Sequence, residues 1–239
     1  MSGAVHAQET RRGQGNPAGP AWPASVQKAK NPATVGRIIA AAERIFAERG
    51  LAGARTDEIA RAARVNKALL YYYFDSKERL YRLVLESLFS QLLASMEHAS
   101  AAASLPRQQL LAYVNGYFDF VWRHPNYPRL VQREIMHRGT HLRWIVQQYF
   151  RPLHRRLSRA IEAGISRGAF RSVDANQTVL TIVAMTVFYF AAAPVLSAIW
   201  GRDALGPQAV EARRRAILDF LEHGLFRAAS QNAGRTKPR

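Results

Sequence analysis

A chain of 239 residues in which 48% are apolar and 21% charged is long enough to bury a core, as one domain or two packed closely, and is too apolar to be globally disordered. It contains no cysteine, which excludes a disulfide framework, a thiolate metal site and a thiol nucleophile, and suits a reducing cytoplasm. The 34 Lys and Arg against 17 Asp and Glu give a formal charge of +17, a field that attracts polyanions, nucleic acid and acidic membrane alike.

Residues 1–32 read as a flexible basic arm, with Arg11, Arg12, Lys28 and Lys30 scattered among Pro, Gly and Ala and no apolar run of the kind a secretion signal needs. From Thr34 onward the periodicity is helical, with no period-2 strand and no hairpin signal, so the fold class is all-α. A first helix is expected from Ala33 to Arg49, where Val35, Ile38, Ile39, Ala42, Ile45 and Phe46 form one apolar stripe and Gly50 supplies the stop. A short second helix opens at Thr56 as N-cap, with Asp57 and Glu58 at the positive end of its dipole. After a turn at Arg64-Val65-Asn66, a third helix runs from Lys67 to Phe74 with Asn66 as its cap and Leu70 and Phe74 pointing inward.

Asp75 and Glu78 have the spacing of a capping box at the head of a long fourth helix reaching toward Ala103. Pro106 opens a fifth that stops near His124-Pro125, and two or three more follow between Pro128 and Arg167, with Gly139 and Pro152 as break or kink points. The last pair spans about Asp174 to Trp200 and Pro207 to Arg227, and residues 229–239 form a disordered tail. Ala175 to Gly201 carries no charged side chain and has the length of a bilayer span, so a membrane-anchored helical protein is the rival reading. Gln177, three threonines, Pro194 and basic charge on both flanks argue instead for a helix buried all round, inside a bundle and against its two-fold mate, and no membrane partner is expected.

Two short helices joined by a tight turn and covered by a longer one form a helix-turn-helix, whose second helix fits a major groove about 12 Å wide. Thr56-Asp57-Glu58-Ile59-Ala60-Arg61-Ala62-Ala63, then Val65, then Leu69 to Glu78 with its three consecutive tyrosines resembles, in spacing as well as residue type, the N-terminal signature of the tetracycline-repressor (TetR) family. The resemblance is strong over about Val35 to Leu88. It implies base reading by Lys67, Ala68 and Tyr72 and phosphate contacts by Thr56, Tyr71, Tyr73 and Lys77, with Arg55 and Asn66 completing the DNA-facing set. Lys77 also suits a phosphate on independent grounds, because it sits in the first turn of the fourth helix. Arg64 stands where the family usually has Gly, so the turn is expected to differ, and Tyr73 replaces a frequent histidine.

The resemblance further implies an N-terminal reader over 33–80, a C-terminal bundle over 81–228 that binds an unknown small-molecule effector, and a homodimer through the last two helices on a double-stranded operator. Tyr113, Tyr117, Phe118, Trp122, Trp144, Tyr149, Phe188 and Tyr189 are the candidate pocket residues. Arg151, Arg155, Arg156 and Arg159 lie in an arginine-dense stretch able to meet an acidic ligand. Glu134 and His137, with His141 beyond, have helical metal-ligand spacing, but no second pair accompanies them, so neither metal nor cofactor is expected. No nucleophile-base pairing or phosphate loop is present, and an enzyme is not expected.

Overall fold

Asn31 accepts the Thr34 N–H in its side chain at 3.1 Å and Pro32 fills the first turn, which starts helix α1, Pro32–Gly53. The computed structural model describes residues 31–136 and 141–227, so nearly all of the expected arm, the expected tail, His137 and Gly139 lie outside the described residues. Val35, Ile38, Ile39, Ala42, Ile45 and Phe46 are all buried, as the stripe requires. The expected stop at Gly50 is a kink: Gly50 takes φ 69, ψ 176, a conformation open essentially to glycine alone, and the helix resumes for one more turn to Gly53.

Helix α2 is Thr56–Ala62 and helix α3 is Lys67–Phe74. Thr56 is not the N-cap. Arg55 holds that position and makes no side-chain cap bond, while Thr56 is already helical and its hydroxyl lies 3.4 Å from that of Tyr71. Asn66 caps α3 as expected, accepting the Leu69 N–H at 2.7 Å, and Leu70 and Phe74 are buried. Arg64 enters the left-handed region at φ 57, so the turn keeps the conformation that glycine would adopt. Its N–H donates to Arg61 and that of Val65 to Ala60, the paired bonds of a Schellman stop, and the Arg37 Nε donates to the Ala63 carbonyl at 3.3 Å.

Helix α4, Lys77–Ser100, is capped by Ser76, which accepts the Arg79 N–H at 3.1 Å. The cap expected at Asp75 therefore falls one residue later, and with Arg79 rather than an acid three residues beyond Ser76 no capping box forms. Asp75 is needed to reverse the chain after α3, at φ 58, where a short polar side chain is tolerated better than most. Helix α5, Pro106–Arg123, packs along α4 so closely that a Cβ on Gly116 would sit 2.9 Å from the Ser95 carbonyl; the Ser95 hydroxyl donates to the Gly116 carbonyl at 3.0 Å. Helices α6, Tyr127–Met136, and α7, Leu142–Ile145, follow.

Pro152 does not break the chain. A π-helical turn, Val146–Phe150, leads from α7 straight into α8, Arg151–Ser166, with Pro152 in its first turn. Pro152 has no N–H for the Gln148 carbonyl, and the wider turn accommodates its ring. The extra residue brings both Tyr149 and Phe150 onto Phe89, with ring centroids 4.7 and 5.4 Å away. The long uncharged segment is two helices, α9, Ala175–Ala191, and α10, Ala193–Trp200, bent by 67° where Pro194 starts the second. Among the described residues no single helix is long and apolar enough to cross a membrane. In the single chain Leu180, Phe188, Val195 and Ile199 of this segment are 60–70% exposed. Helix α11, Pro207–Gly224, closes the bundle, and one isolated bridge, Phe170 to Phe226, is the sole β-type pairing among the described residues.

The left-handed Arg64 makes a direct stability prediction. Arg64→Gly removes the Cβ strain while leaving the three hydrogen bonds of the stop in place, and is expected to stabilise the fold by about 1 kcal/mol in urea denaturation, less the extra unfolded-state entropy of glycine.

Candidate DNA interface and ligand cavity

Burial of Leu70 and Phe74 fixes which side of α3 faces out. Asn66, Lys67 and Ala68 are exposed, Tyr71 is 40% and Tyr72 65% exposed, and Tyr73 is half-buried with its ring between those of Tyr72 and Phe74. Large aromatic rings left in water on a short helix, beside an exposed Arg55, have no packing role in the single chain. The hydroxyls of Thr56 and Tyr71 point together across the α2–α3 junction.

The two lysines are not free. Lys67 Nζ lies 2.9 Å from an Asp57 carboxylate oxygen, and this contact holds the Asp57 carboxyl below and the Lys67 ammonium above their ordinary ranges. The pair is exposed, so its grip is weak and a phosphate or a base edge competes with it easily. Lys77 Nζ donates to the carbonyls of Ala54 at 3.2 Å and Ala52 at 3.5 Å, tying the start of α4 to the end of α1. One of its three N–H groups remains for a phosphate oxygen. The Asp57 clamp and the Thr56–Tyr71 pair were missed in the sequence; the charge of Asp57 was credited to the helix dipole, and Lys67 is ten residues away.

Below the reader, a cavity of about 520 Å³ opens between α5, α6, α8 and α9, walled by Tyr113, Tyr117, Val131, Leu157, Ile182 and Val183 among others. Its polar groups are His154, Gln132, Asn176, Gln177 and two tyrosines, Tyr117 and Tyr127, whose buried hydroxyls share a hydrogen bond. Burial holds both phenols well above their usual range, so both are neutral donors. No Asp, Glu, Lys or Arg lines it, and His154 is the one wall residue with an ionisable base.

Of the eight candidate pocket residues, the cavity takes Tyr113 and Tyr117. Phe118 packs between Phe190 and the Arg214 guanidinium, Trp144 lies beneath Arg82 and meets Tyr149 edge to face, and the Tyr189 hydroxyl donates to the Ala204 carbonyl. Trp122 and Phe188 are exposed. Aromatic character pointed to them, whereas the walls are mostly aliphatic and lie on one face of α9, at Val179, Ile182 and Val183. That stripe was visible in the sequence but hidden by the uncharged run around it.

Helix α6 touches both regions. Tyr127, Val131 and Ile135 line the cavity, while Arg133 donates to the α1 carbonyls of Ala47 at 3.1 Å and Glu48 at 2.7 Å, and Asn126 donates to Glu43 at 3.0 Å. Burial raises the Glu43 carboxyl, and the Asn126 bond opposes that rise. Glu134, the weak metal candidate, is buried and accepts the Tyr81 hydroxyl at 2.8 Å. Among the described residues no three His, Asp or Glu side chains cluster as metal ligands.

Comparison with known proteins agrees with this division of labour. Residues 38–84 match the family described as bacterial regulatory proteins, tetR family, and residues 106–221 match the tetracyclin repressor-like C-terminal domain. The chain is 32% identical over 199 residues to the HTH-type transcriptional repressor NicS of Pseudomonas putida, covering 80% of this chain and 91% of that one. Two solved structures share the fold: the putative transcriptional regulator SCO4942 from Streptomyces coelicolor, at 27% identity, TM-score 0.62 and coverage of 80% and 98%, and the ketosteroid transcriptional regulator KstR2 of Mycobacterium tuberculosis, at 21% identity, TM-score 0.67 and coverage of 84% and 98%. With the exposed face of α3 set on the helix-turn-helix that the family shares, this chain belongs to the TetR family and is a DNA-binding transcriptional regulator.

Proposed function

We propose that the chain acts in the cytoplasm as a homodimeric repressor that occupies a pseudo-palindromic operator and leaves it when a small-molecule effector fills the cavity. Residues 33–80 are the reader and 81–228 the effector-binding and dimerising part. The observation that carries the reading is α6, one face of which lines the cavity while the other holds α1 of the reader. An effector that displaces Val131 or Ile135 moves Arg133, and with it the carbonyls on which α1 rests. Operator and effector then weaken one another by the same factor. The printed name of NicS, a repressor, favours repression over activation.

Two readers on one duplex require two copies of the chain. The outer sides of α9 and α11 carry the exposed large apolar side chains Phe188 at 68% and Phe220 at 57%, with Leu180 at 61% at the cavity rim, and are proposed as the dimer interface. Dimerisation sets the readers at successive major grooves, roughly 34–36 Å apart.

Lys67→Ala and Tyr72→Ala are expected to reduce affinity for a selected operator by about tenfold or more, roughly the 1–3 kcal/mol of one base contact, with less effect on random duplex. Lys77→Ala weakens both and flattens the salt slope by about one ion. Fluorescence anisotropy on the two duplexes at several salt concentrations reads all three variants; equal losses on both duplexes from Lys67→Ala and Tyr72→Ala rule out base reading by α3. Phe188→Glu, placing a charge in the proposed interface, is expected to sediment as a monomer and to lose operator affinity while keeping its helical circular dichroism.

A further inference from the structure

On the opposite face of α8 from the cavity lies a second hollow, of about 550 Å³, between α5 and α8, framed by Arg155, Arg156, Arg159, Gln109 and Tyr113. Tyr113 is the one residue that lines both. Tyr113 is 3% exposed, and the Arg156 guanidinium lies over its ring, 5.6 Å from the centroid. Arg156 already has a carboxylate, Glu97, at 2.8 Å. Arg155 and Arg159, one turn apart and exposed, have no acidic partner among the described residues.

With Arg156 paired, Arg155 and Arg159 are two like charges one turn apart that a single anion can bridge, and a guanidinium fork matches a carboxylate bidentately. The cavity poses the complementary problem, since it is mostly apolar and no Lys or Arg in its wall offers a guanidinium or ammonium to a carboxylate inside it, His154 being its one ionisable base. A wholly neutral ligand would leave the arginines unused, and a cationic one would be repelled by them.

Building on the cavity as the effector site, we propose that the effector is an apolar molecule ending in a carboxylate, with its body in the cavity and its carboxylate between Arg155 and Arg159, the Tyr113 ring turning aside to join the two hollows. The guanidiniums then set ligand class, while the apolar walls set the shape of the body. Because Tyr113 stands on α5 and the body presses on α6, ligands with the same carboxylate but different bodies differ in how far they move the reader.

Decanoate and decan-1-ol, which share a chain and differ in charge, test this by titration calorimetry on the full chain. Wild type is expected to bind decanoate at least tenfold more tightly than the alcohol, with the preference shrinking at high salt. The double variant Arg155→Gln/Arg159→Gln, both positions being exposed, should keep its melting temperature and its affinity for the alcohol while losing the preference for the acid. Val183→Trp, or Val183→Phe if the larger ring prevents folding, fills the cavity and should abolish binding of both. Should both amphiphiles bind the filled variant as they bind wild type, the cavity reading itself fails. If filling abolishes both but the acid preference is absent, or survives loss of the two arginines, the cavity stands and the carboxylate assignment is overturned. Wild type that binds neither amphiphile overturns it as well.

Discussion

The end of α1 is the joint on which the rest of the molecule turns. A helix that stops leaves its last carbonyls without partners, and a buried carbonyl left unpaired costs about as much as a lost hydrogen bond. Gly50 interrupts the helix at φ 69, and the carbonyls just before it, of Ala47 and Glu48, accept from Arg133, which belongs to the C-terminal bundle. The carbonyls beyond it, of Ala52 and Ala54, accept from Lys77 at the head of α4. The reader is thus fastened to the bundle by two cations on one frayed helix end. A Cβ at Gly50 would lie 3.2 Å from the Arg133 guanidinium, so the glycine serves both the kink and the room for its partner.

That fastening explains why a ligand below the reader can reach it without touching it. A ligand shifts an equilibrium only by binding two arrangements differently. Helix α6 is ten residues long and presents Val131 and Ile135 to the cavity and Arg133 to α1, so displacement of one face displaces the other. Long α4 offers a second connection, through Lys77 and through Tyr81, whose ring meets Phe46 of α1 at 4.9 Å, but the cavity touches α4 only at Met96, far from the reader. The shorter helix is the more direct lever.

The reader was largely legible in the sequence because each of its signals is local. Apolar residues three and four apart, Asn66 before a short helix, and Leu70 with Phe74 are properties of neighbours along the chain. Where the reading slipped by a residue, at Thr56 and at Asp75, one polar side chain was given a capping role while the chain needed a different conformation there. At Arg64 a local rule predicted an altered turn, and a distant residue, Arg37, helps hold the stop in its ordinary shape. The cavity was far less legible. Which aromatic rings face a hollow depends on how α5, α6, α8 and α9 rotate against one another, and Phe188 and Trp122 turned outward for reasons that no segment contains by itself. The break of the uncharged run into α9 and α10 could be placed at Pro194, but its direction is tertiary.

Charge is the least faithful guide to where the DNA lies. The excess of +17 suggests a basic reader, yet residues 31–80 hold nine basic against six acidic side chains, and much of the excess sits in the bundle and beyond the described residues. Within the reader Arg44, Arg49, Lys67 and Arg79 are ion-paired, and Arg37 and Lys77 hold carbonyls. That leaves Arg55, Arg61 and Arg64 outside any ion pair among the described residues, all exposed, at the N-cap of α2, on it and in the turn that follows it. A surface with few free cations and two exposed tyrosines at its centre gains little from counterion release and more from shape and hydrogen bonding.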